Sequence, residues 1–324
     1  MGNKLKIKSG LPRVLNSEIK FKKIAIDGTL MLHQVLYANR VANTGEYFKS
    51  KSGVITSHLY GLTTKLAPFL KHGVNFVFVM DGCRNPLKTE ECKRRAQQTE
   101  LKLQMLMDYI SEGQENSPDA IRIKKSINYI TADILDTTRK LIGHMGGFYH
   151  VAKQEAEAQC ADLVNRKLCD IVWSDDSDTP LYFNNPKSLW LSKVKILKND
   201  ITGQMISADK IYKDFEMTQK GLVSMALMAG TDYSRGISKV GPVNALKLIK
   251  KYENLETVIK NCQASKLVRL GPWKKIQKNF MAPVVSNIKS LEFKKLNILT
   301  LSQFLESHDI SYTKIKKIIL STKI

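Results

Sequence analysis

The chain has 324 residues, enough for one large domain or two ordinary ones, and its 43% hydrophobic content supports a substantial core rather than wholesale disorder. Lys and Arg number 51 against 30 Asp and Glu, a formal charge of +21, and the sequence pI is about 9.6; that excess points to a polyanion, nucleic acid before anionic membrane. No apolar run reaches the ~18 residues of a membrane span, the N-terminus lacks an apolar signal core, and Lys6 breaks the myristoylation pattern that Met1-Gly2 would open.

Residues 1–20 are basic and weakly patterned. Lys23 to Ile26 reads as a short buried strand ending at Asp27-Gly28, and Thr29 to Asn39 has helical spacing through Leu32, Val35 and Leu36. Gly45 to Gly53 is polar and loop-like, residues 55–71 form an amphipathic helical pattern, and Gly73 stops it. A second strand, Asn75 to Met80, ends at Asp81-Gly82. Lys88 to Tyr109 is charged and helical in composition, Gly113 to Pro118 breaks it, and Ala120 to Gly143 reads as one more helix. These two segments, carrying Lys88, Lys93, Arg94, Arg95, Arg122, Lys124 and Lys125, read either as solvated surface helices or as a basic arch. Phe148 to Val151 is a strand, and Glu155 and Glu157 open the next helix.

A third buried strand begins at Ile171 and breaks off into Ser174-Asp175-Asp176-Ser177-Asp178. Residues 181–215 read as short strands and loops, and Gly221 to Gly230 as an apolar helix ending at Thr231-Asp232-Tyr233. Next, Gly236 to Leu246 combines two glycines, which permit a tight hairpin, with Pro242, which suits the first turn of a following helix. Residues 263–324 are helical in pattern and Lys-rich (Lys274, Lys275, Lys294, Lys295, Lys316, Lys317), a packed basic surface or a further nucleic-acid contact. The five cysteines (Cys83, Cys92, Cys160, Cys169, Cys262) form no CxxC pair and read as reduced thiols of an intracellular protein, with no zinc site.

Apolar strands alternating with helices predict an α/β protein with a mainly parallel sheet, whose ligands sit outside the carboxyl ends of the strands. Asp27, Asp81 and the Asp175–Asp178 cluster would then converge on one edge. Like charges packed this closely repel. One such loop can be a solvated Asp/Ser turn; three acidic strand ends suggest a site for hard divalent cations, which take oxygen ligands. Glu155 and Glu157, two apart, can both reach that edge from a first helical turn, where the helix dipole favours negative charge. The exposed N–H groups of a helix beginning at Pro242, flanked by Lys247, Lys250 and Lys251, suit backbone phosphates.

Taken together, Ile-Asp-Gly at 26–28, Val-Met-Asp-Gly at 79–82, Glu-Ala-Glu-Ala-Gln-Cys-Ala at 155–161, Ser-Asp-Asp-Ser-Asp at 174–178, Met-Ala-Gly-Thr-Asp-Tyr at 228–233 and Gly-Ile-Ser-Lys-Val-Gly-Pro at 236–242 resemble the flap endonuclease/XPG family of 5′ nucleases. The resemblance implies a PIN-like 5′-nuclease fold with a helical arch and a helix–hairpin–helix element. It implies seven carboxylates holding two divalent ions, Mg²⁺ with Mn²⁺ able to substitute: Asp27, Asp81, Glu155, Glu157, Asp176, Asp178 and Asp232. Asp175 stands beside them as an acid that is not a main ligand. Lys88 and Arg95 match the family's basic pair on the arch, and Gly236, Lys239, Gly241 and Lys247 its duplex-gripping hairpin, which in relatives holds a monovalent cation such as K⁺.

The expected organisation is a nuclease region over 1–110, an arch continuation over 111–145, a second nuclease region over 146–235, the hairpin element over 236–262 and a basic helical part over 263–324. The expected substrate is DNA with a 5′ flap, nick or branch, cut by a monomer in the nucleus, or at a replication site if the chain is viral. The rival readings are a catalytically silent binder of DNA structures and a PIN-like RNA endonuclease. Three features depart from the family pattern. His33 stands where cellular relatives carry a stacking aromatic, the start Met-Gly-Asn-Lys-Leu-Lys lacks the apolar opening, and no Gln-x-x-aliphatic-x-x-Phe-Phe clamp motif is present.

Overall fold

The computed structural model describes residues 11–197, 200–262, 270–311 and 313. Residues 24–26, 76–80 and 171–173 are buried at every position, as parallel strands covered on both faces require. They belong to a seven-stranded sheet made of β1 (Arg13–Val14), β2 (Lys23–Asp27), β3 (Asn75–Met80), β4 (Phe148–Val151), β5 (Ile171–Trp173), β6 (Leu189–Leu197) and β7 (Asp200–Ser207). The spatial order is β1-β7-β6-β5-β2-β3-β4. The pairs β2–β3, β2–β5, β3–β4 and β5–β6 are parallel, whereas β7 runs antiparallel to β6 and β1. The expected mainly parallel sheet is therefore present, with an antiparallel hairpin at one side.

Period-two alternation divides the central strands between two cores. Ala25, Val77, Val79 and Val172 face one, with α6 (Ala156–Asn165), α8 (Gln219–Ala229), α9 (Pro242–Tyr252) and the helix Trp273–Met281 packed on it. Ile24, Ile26, Phe76, Phe78, Ile171 and Trp173 face the other, with α1 (Gly28–Ala38), α2 (Ser57–Lys71) and α5 (Ala132–His144). Helices thus cover both faces and leave the strands' carboxyl ends as an open edge. No described helix is long and apolar enough to cross a membrane.

The segment read as one helix over 120–143 is two, α4 (Pro118–Ser126) and α5. Thr131 caps α5, its Oγ1 accepting the Ile134 N–H at 3.3 Å. The buried Arg40 fixes the break, donating to the Ile127 carbonyl at 3.3 Å and to Asn128 Oδ1. Residues 181–215, read as strands and loops, contain the long β6–β7 hairpin and a helix, α7 (Ala208–Phe215), which Ser207 caps. The helical pattern expected over 263–324 holds for Trp273–Met281 and Ile298–Glu306, but 282–297 is a non-helical strap. Gln159 holds that strap, accepting the Ser286 N–H at 2.6 Å and donating to the Ser286 carbonyl at 3.2 Å. Lys316 and Lys317 lie outside the described residues.

The helix after β3, α3 (Thr89–Ser111), buries none of its 23 residues. A helix that long reaches about 35 Å, and it stands off the body with α4 packed against it. It is not basic along its length, since Lys93, Arg94, Arg95 and Lys102 are balanced by Glu90, Glu91, Glu100 and Asp108. The cations gather at its base, and its far end exposes Leu101, Met105, Met107 and Ile110.

Candidate active site

Parallel pairing of β2 with β3 and β5 brings Asp27, Asp81 and the 174–178 loop to the same edge. Each acid is fixed by local backbone chemistry. Asp27 caps α1, its Oδ1 accepting the Leu30 N–H at 3.1 Å, while Oδ2 accepts the Ser174 hydroxyl at 2.9 Å. Asp81 caps α6 from the neighbouring strand, its Oδ1 accepting the Ala156 N–H at 2.7 Å. Glu155 is the N-cap residue of that helix and Glu157 lies in its first turn. Asp176 receives the Asp178 N–H at 2.8 Å, and Ser174 Oγ receives the Asp176 N–H at 3.0 Å.

The two Asp-Gly pairs have a steric cause. A Cβ on Gly28 would lie 2.5 Å from Phe78, and one on Gly82 would lie 1.8 Å from the Ala152 carbonyl oxygen. Both strand ends are packed too tightly for any larger residue.

Burial acts on four of these acids. Burial, and then the charge of Asp81, raises the Asp27 carboxyl to about 7. Burial, and then Asp176, pushes Glu157 well above the usual carboxylate range. Burial also raises Asp176 and Glu155, the latter against the pull of Lys88. Deprotonated together, these acids need positive charge nearby.

The base of α3 supplies some of it. Lys88 Nζ pairs with Glu155 Oε2 and lies 3.6 Å from Glu157 Oε1. Burial disfavours the ammonium, but Glu157, Tyr233 and Glu155 outweigh it and raise the Lys88 pKa. Arg95 Nη2 lies 2.6 Å from Asp232 Oδ2, and its Nε lies 2.8 Å from Glu91 Oε1. Both cations expected at this site are there, bound to the acids themselves. Glu91, Ser174, Tyr182 and Tyr233 complete the surroundings. Of these, sequence spacing signals only Glu91, one helical turn before Arg95. His33 stands exposed on α1.

The donor set fits hard divalent ions: seven carboxylates offer only oxygen, and Glu157 Oε2 is buried without a hydrogen-bond partner among the described residues. Among the described residues, no group of three acids, histidines or cysteines stands ready to hold an ion. Lys88 and Arg95 pair with Glu155, Glu157 and Asp232 at this edge.

The hairpin joins α8 to α9. Gly236 has φ +76°, and a Cβ there would lie 2.4 Å from the Met228 carbonyl oxygen. Gly241 is extended (φ −91°) and meets nothing within 4 Å, so the second left-handed position is Lys239, at φ 61°. Lys239 and Lys247 are exposed, no side chain caps α9, and Pro242 occupies its first turn. Val243 and Asn244 in that turn are exposed as well.

Residues 4–102 match the XPG N-terminal domain profile and residues 147–232 the XPG I-region profile. The chain is also 30% identical over 312 residues to Flap endonuclease 1 of Methanocella arvoryzae, covering 93% of this chain and 89% of that one. The chain belongs to the flap endonuclease/XPG family. Its fold matches the catalytic core of Rad2 in complex with DNA substrate (TM-score 0.72, 22% identity, 97% and 96% of the two chains). It also matches flap endonuclease-1 from Methanococcus jannaschii (TM-score 0.68, 23% identity, 96% and 95%). The two XPG segments contain all seven acids with Lys88 and Arg95, while the hairpin at 236–242 follows them.

Proposed function

We propose that this protein, a nuclease of the flap endonuclease/XPG family, is a structure-specific DNA 5′ nuclease of replication and repair that uses two divalent metal ions. The observation that carries the reading is one edge of a parallel sheet where strand-end carboxylates meet Lys88 and Arg95 at the foot of an exposed helix. The substrate would be DNA bearing a 5′ flap, a nick or a branch. Mg²⁺ is the physiological ion in this reading, Mn²⁺ can replace it, and K⁺ is the candidate at the hairpin. The protein would act as a monomer in the nucleus, or at a viral replication site.

Asp27, Asp81, Glu155, Glu157, Asp176, Asp178 and Asp232 would hold the ions, which supply an activated water and charge compensation at the leaving oxygen. The protein's own contribution begins with the duplex. Lys239, Lys247 and the N–H groups of the first turn of α9 bind backbone phosphates without reading bases. The scissile phosphodiester is thereby presented at the carboxyl edge. Lys88 and Arg95 turn from the acids to the non-bridging phosphate oxygens and stabilise the charge that develops there. The arch helix, none of whose residues is buried, would embrace the displaced single strand.

The test is cleavage of a 5′-labelled double-flap DNA with Mg²⁺, run beside nicked duplex, a four-way junction, single-stranded DNA and an RNA hairpin. A single cut at the flap base, lost with EDTA, is expected. Short products from nicked duplex would make it an exonuclease-like member, and cleavage of the RNA hairpin alone would support an RNA endonuclease. Tight flap binding with no cleavage would overturn the enzymatic reading in favour of a silent binder.

A further inference from the structure

Beneath Lys88 lies a pair of buried phenols that the chemistry above does not use. The Lys88 ammonium stands 4.7 Å from the centroid of the Tyr233 ring, so an aromatic face is its third neighbour after Glu155 and Glu157. Tyr233 is 6% exposed and Tyr182 is 2% exposed. Their hydroxyls are 3.0 Å apart, and the Tyr182 hydroxyl also donates to Glu157 Oε1 over a long 3.4 Å. A phenol has one proton to give. With that of Tyr182 directed at Glu157, Tyr233 must donate to Tyr182, and the donor chain runs Tyr233, Tyr182, Glu157. Phe280 fixes both rings, its centroid 4.9 Å from that of Tyr182 and 5.1 Å, edge-on, from that of Tyr233. Burial raises the pKa of both phenols, so both keep their protons.

Two core tyrosines could serve packing alone. The arrangement here does more, because both ends of the pair meet the same ion pair. The ring supports the ammonium, and the hydroxyl chain ends on Glu157, one of the carboxylates opposite it. We propose that Tyr233 is a positioning residue for Lys88, its ring face holding the ammonium at the acidic edge while the Tyr233–Tyr182 hydroxyl pair holds Glu157. Cation–π attraction comes from the whole face of a ring rather than from a single lone pair. The ammonium can therefore exchange Glu155 for a phosphate oxygen while its stem stays over the ring. The role in cleavage rests on the nuclease reading; the placement of Lys88 does not.

The experiment compares Tyr233→Phe, Tyr233→Leu and Tyr182→Phe in the full chain, each checked by thermal melting. In ¹³C-lysine-labelled, metal-free protein, the ε-methylene of Lys88, assigned with Lys88→Arg, should show an upfield ring-current shift. The shift should persist in Tyr233→Phe and vanish in Tyr233→Leu. Under single-turnover conditions with saturating flap DNA, Tyr233→Leu should cleave about tenfold or more slowly with affinity changed less than about twofold, while Tyr233→Phe stays within about threefold. Tyr182→Phe should keep the Lys88 shift and weaken Mn²⁺ binding by about threefold or more, the loss of one hydrogen bond to a charged group. A wild-type Lys88 resonance without the upfield shift would overturn the proposal. So would a Tyr233→Phe defect as large as that of Tyr233→Leu at equal melting temperature. Unchanged Mn²⁺ affinity in Tyr182→Phe would refute the hydroxyl half. If wild-type protein cuts no DNA, the nuclease reading fails, and the resonance still decides where Lys88 sits.

Discussion

Arg95 and Asp232 lie 137 residues apart in the chain and are joined by a 2.6 Å contact between Nη2 and Oδ2. With the pairing of Lys88 to Glu155 and Glu157, it closes the foot of the arch onto the acids. The acidic edge therefore carries internal counterions, which would compete with the ions of the two-metal reading. Replacing Lys88 by Met should tighten Mn²⁺ binding to the DNA-free protein by about tenfold or more, since one charge at ~4 Å and intermediate dielectric interacts by several kcal/mol. The same variant should slow flap cleavage, as a group acting on transition-state charge is lost. Calorimetric Mn²⁺ titration decides the point, and weaker binding in Lys88→Met would show that the ammonium does not compete.

Asp178 is nearly fully buried, in the loop that Ser174 and Asp176 organise. Asp178→Ala should abolish cleavage while leaving flap binding largely intact, because duplex affinity comes from phosphate contacts elsewhere. A mutant that cuts at the wild-type rate would show that Asp178 holds no ion.

Asp27, Asp81 and the Asp175–Asp178 cluster were legible in the sequence because a parallel sheet sends its strands' carboxyl ends to one edge and three apolar runs led into Asp, whereas the full set of seven came from the family resemblance. What the sequence concealed are long-range side-chain pairings. Nothing in the spacing of Asp81 says that it caps the helix at Ala156, nor that Lys88 sits on Tyr233. The break at 127–131 was hidden because the helical pattern on either side stays in phase, and Arg40, far away in sequence, holds the interruption. The strap at 282–297 departs from the helical reading of the tail: Val285, Ile288, Leu291 and Phe293 pack on the core from irregular backbone.

The hairpin permits a separable test of DNA grip. Gly236→Ala places a methyl 2.4 Å from the Met228 carbonyl in a left-handed conformation, a strain of about 1–3 kcal/mol. It should lower the melting temperature and weaken duplex binding. Lys239→Ala and Lys247→Ala should instead leave stability unchanged, weaken binding for all sequences alike and reduce the salt slope by ~1 each. Flap affinity measured across a salt series distinguishes the two classes. An unaltered slope in both lysine variants would remove them from the phosphate contacts.

His58 predicts how the fold responds to acid. Thr137 Oγ1 gives its proton to the Asp133 carbonyl at 2.6 Å, so the 2.7 Å contact with His58 Nε2 requires the histidine to donate. Its Nδ1 is then unprotonated, and it is buried without a partner among the described residues. A second proton would have no acceptor, and burial, with a contribution from His308, lowers the pKa to about 4. The unfolded chain binds that proton near pH 6.5, so between roughly pH 6.5 and 4 unfolding takes up a proton and stability falls as pH falls. The contribution is fully present above about pH 6.5 and reaches at most ~3 kcal/mol on complete loss. Denaturant unfolding of wild-type protein and His58→Gln between pH 7.5 and 4.5 measures it. The variant should be less stable at pH 7.5 yet lose less on acidification, and parallel curves would show that His58 is not the group being protonated.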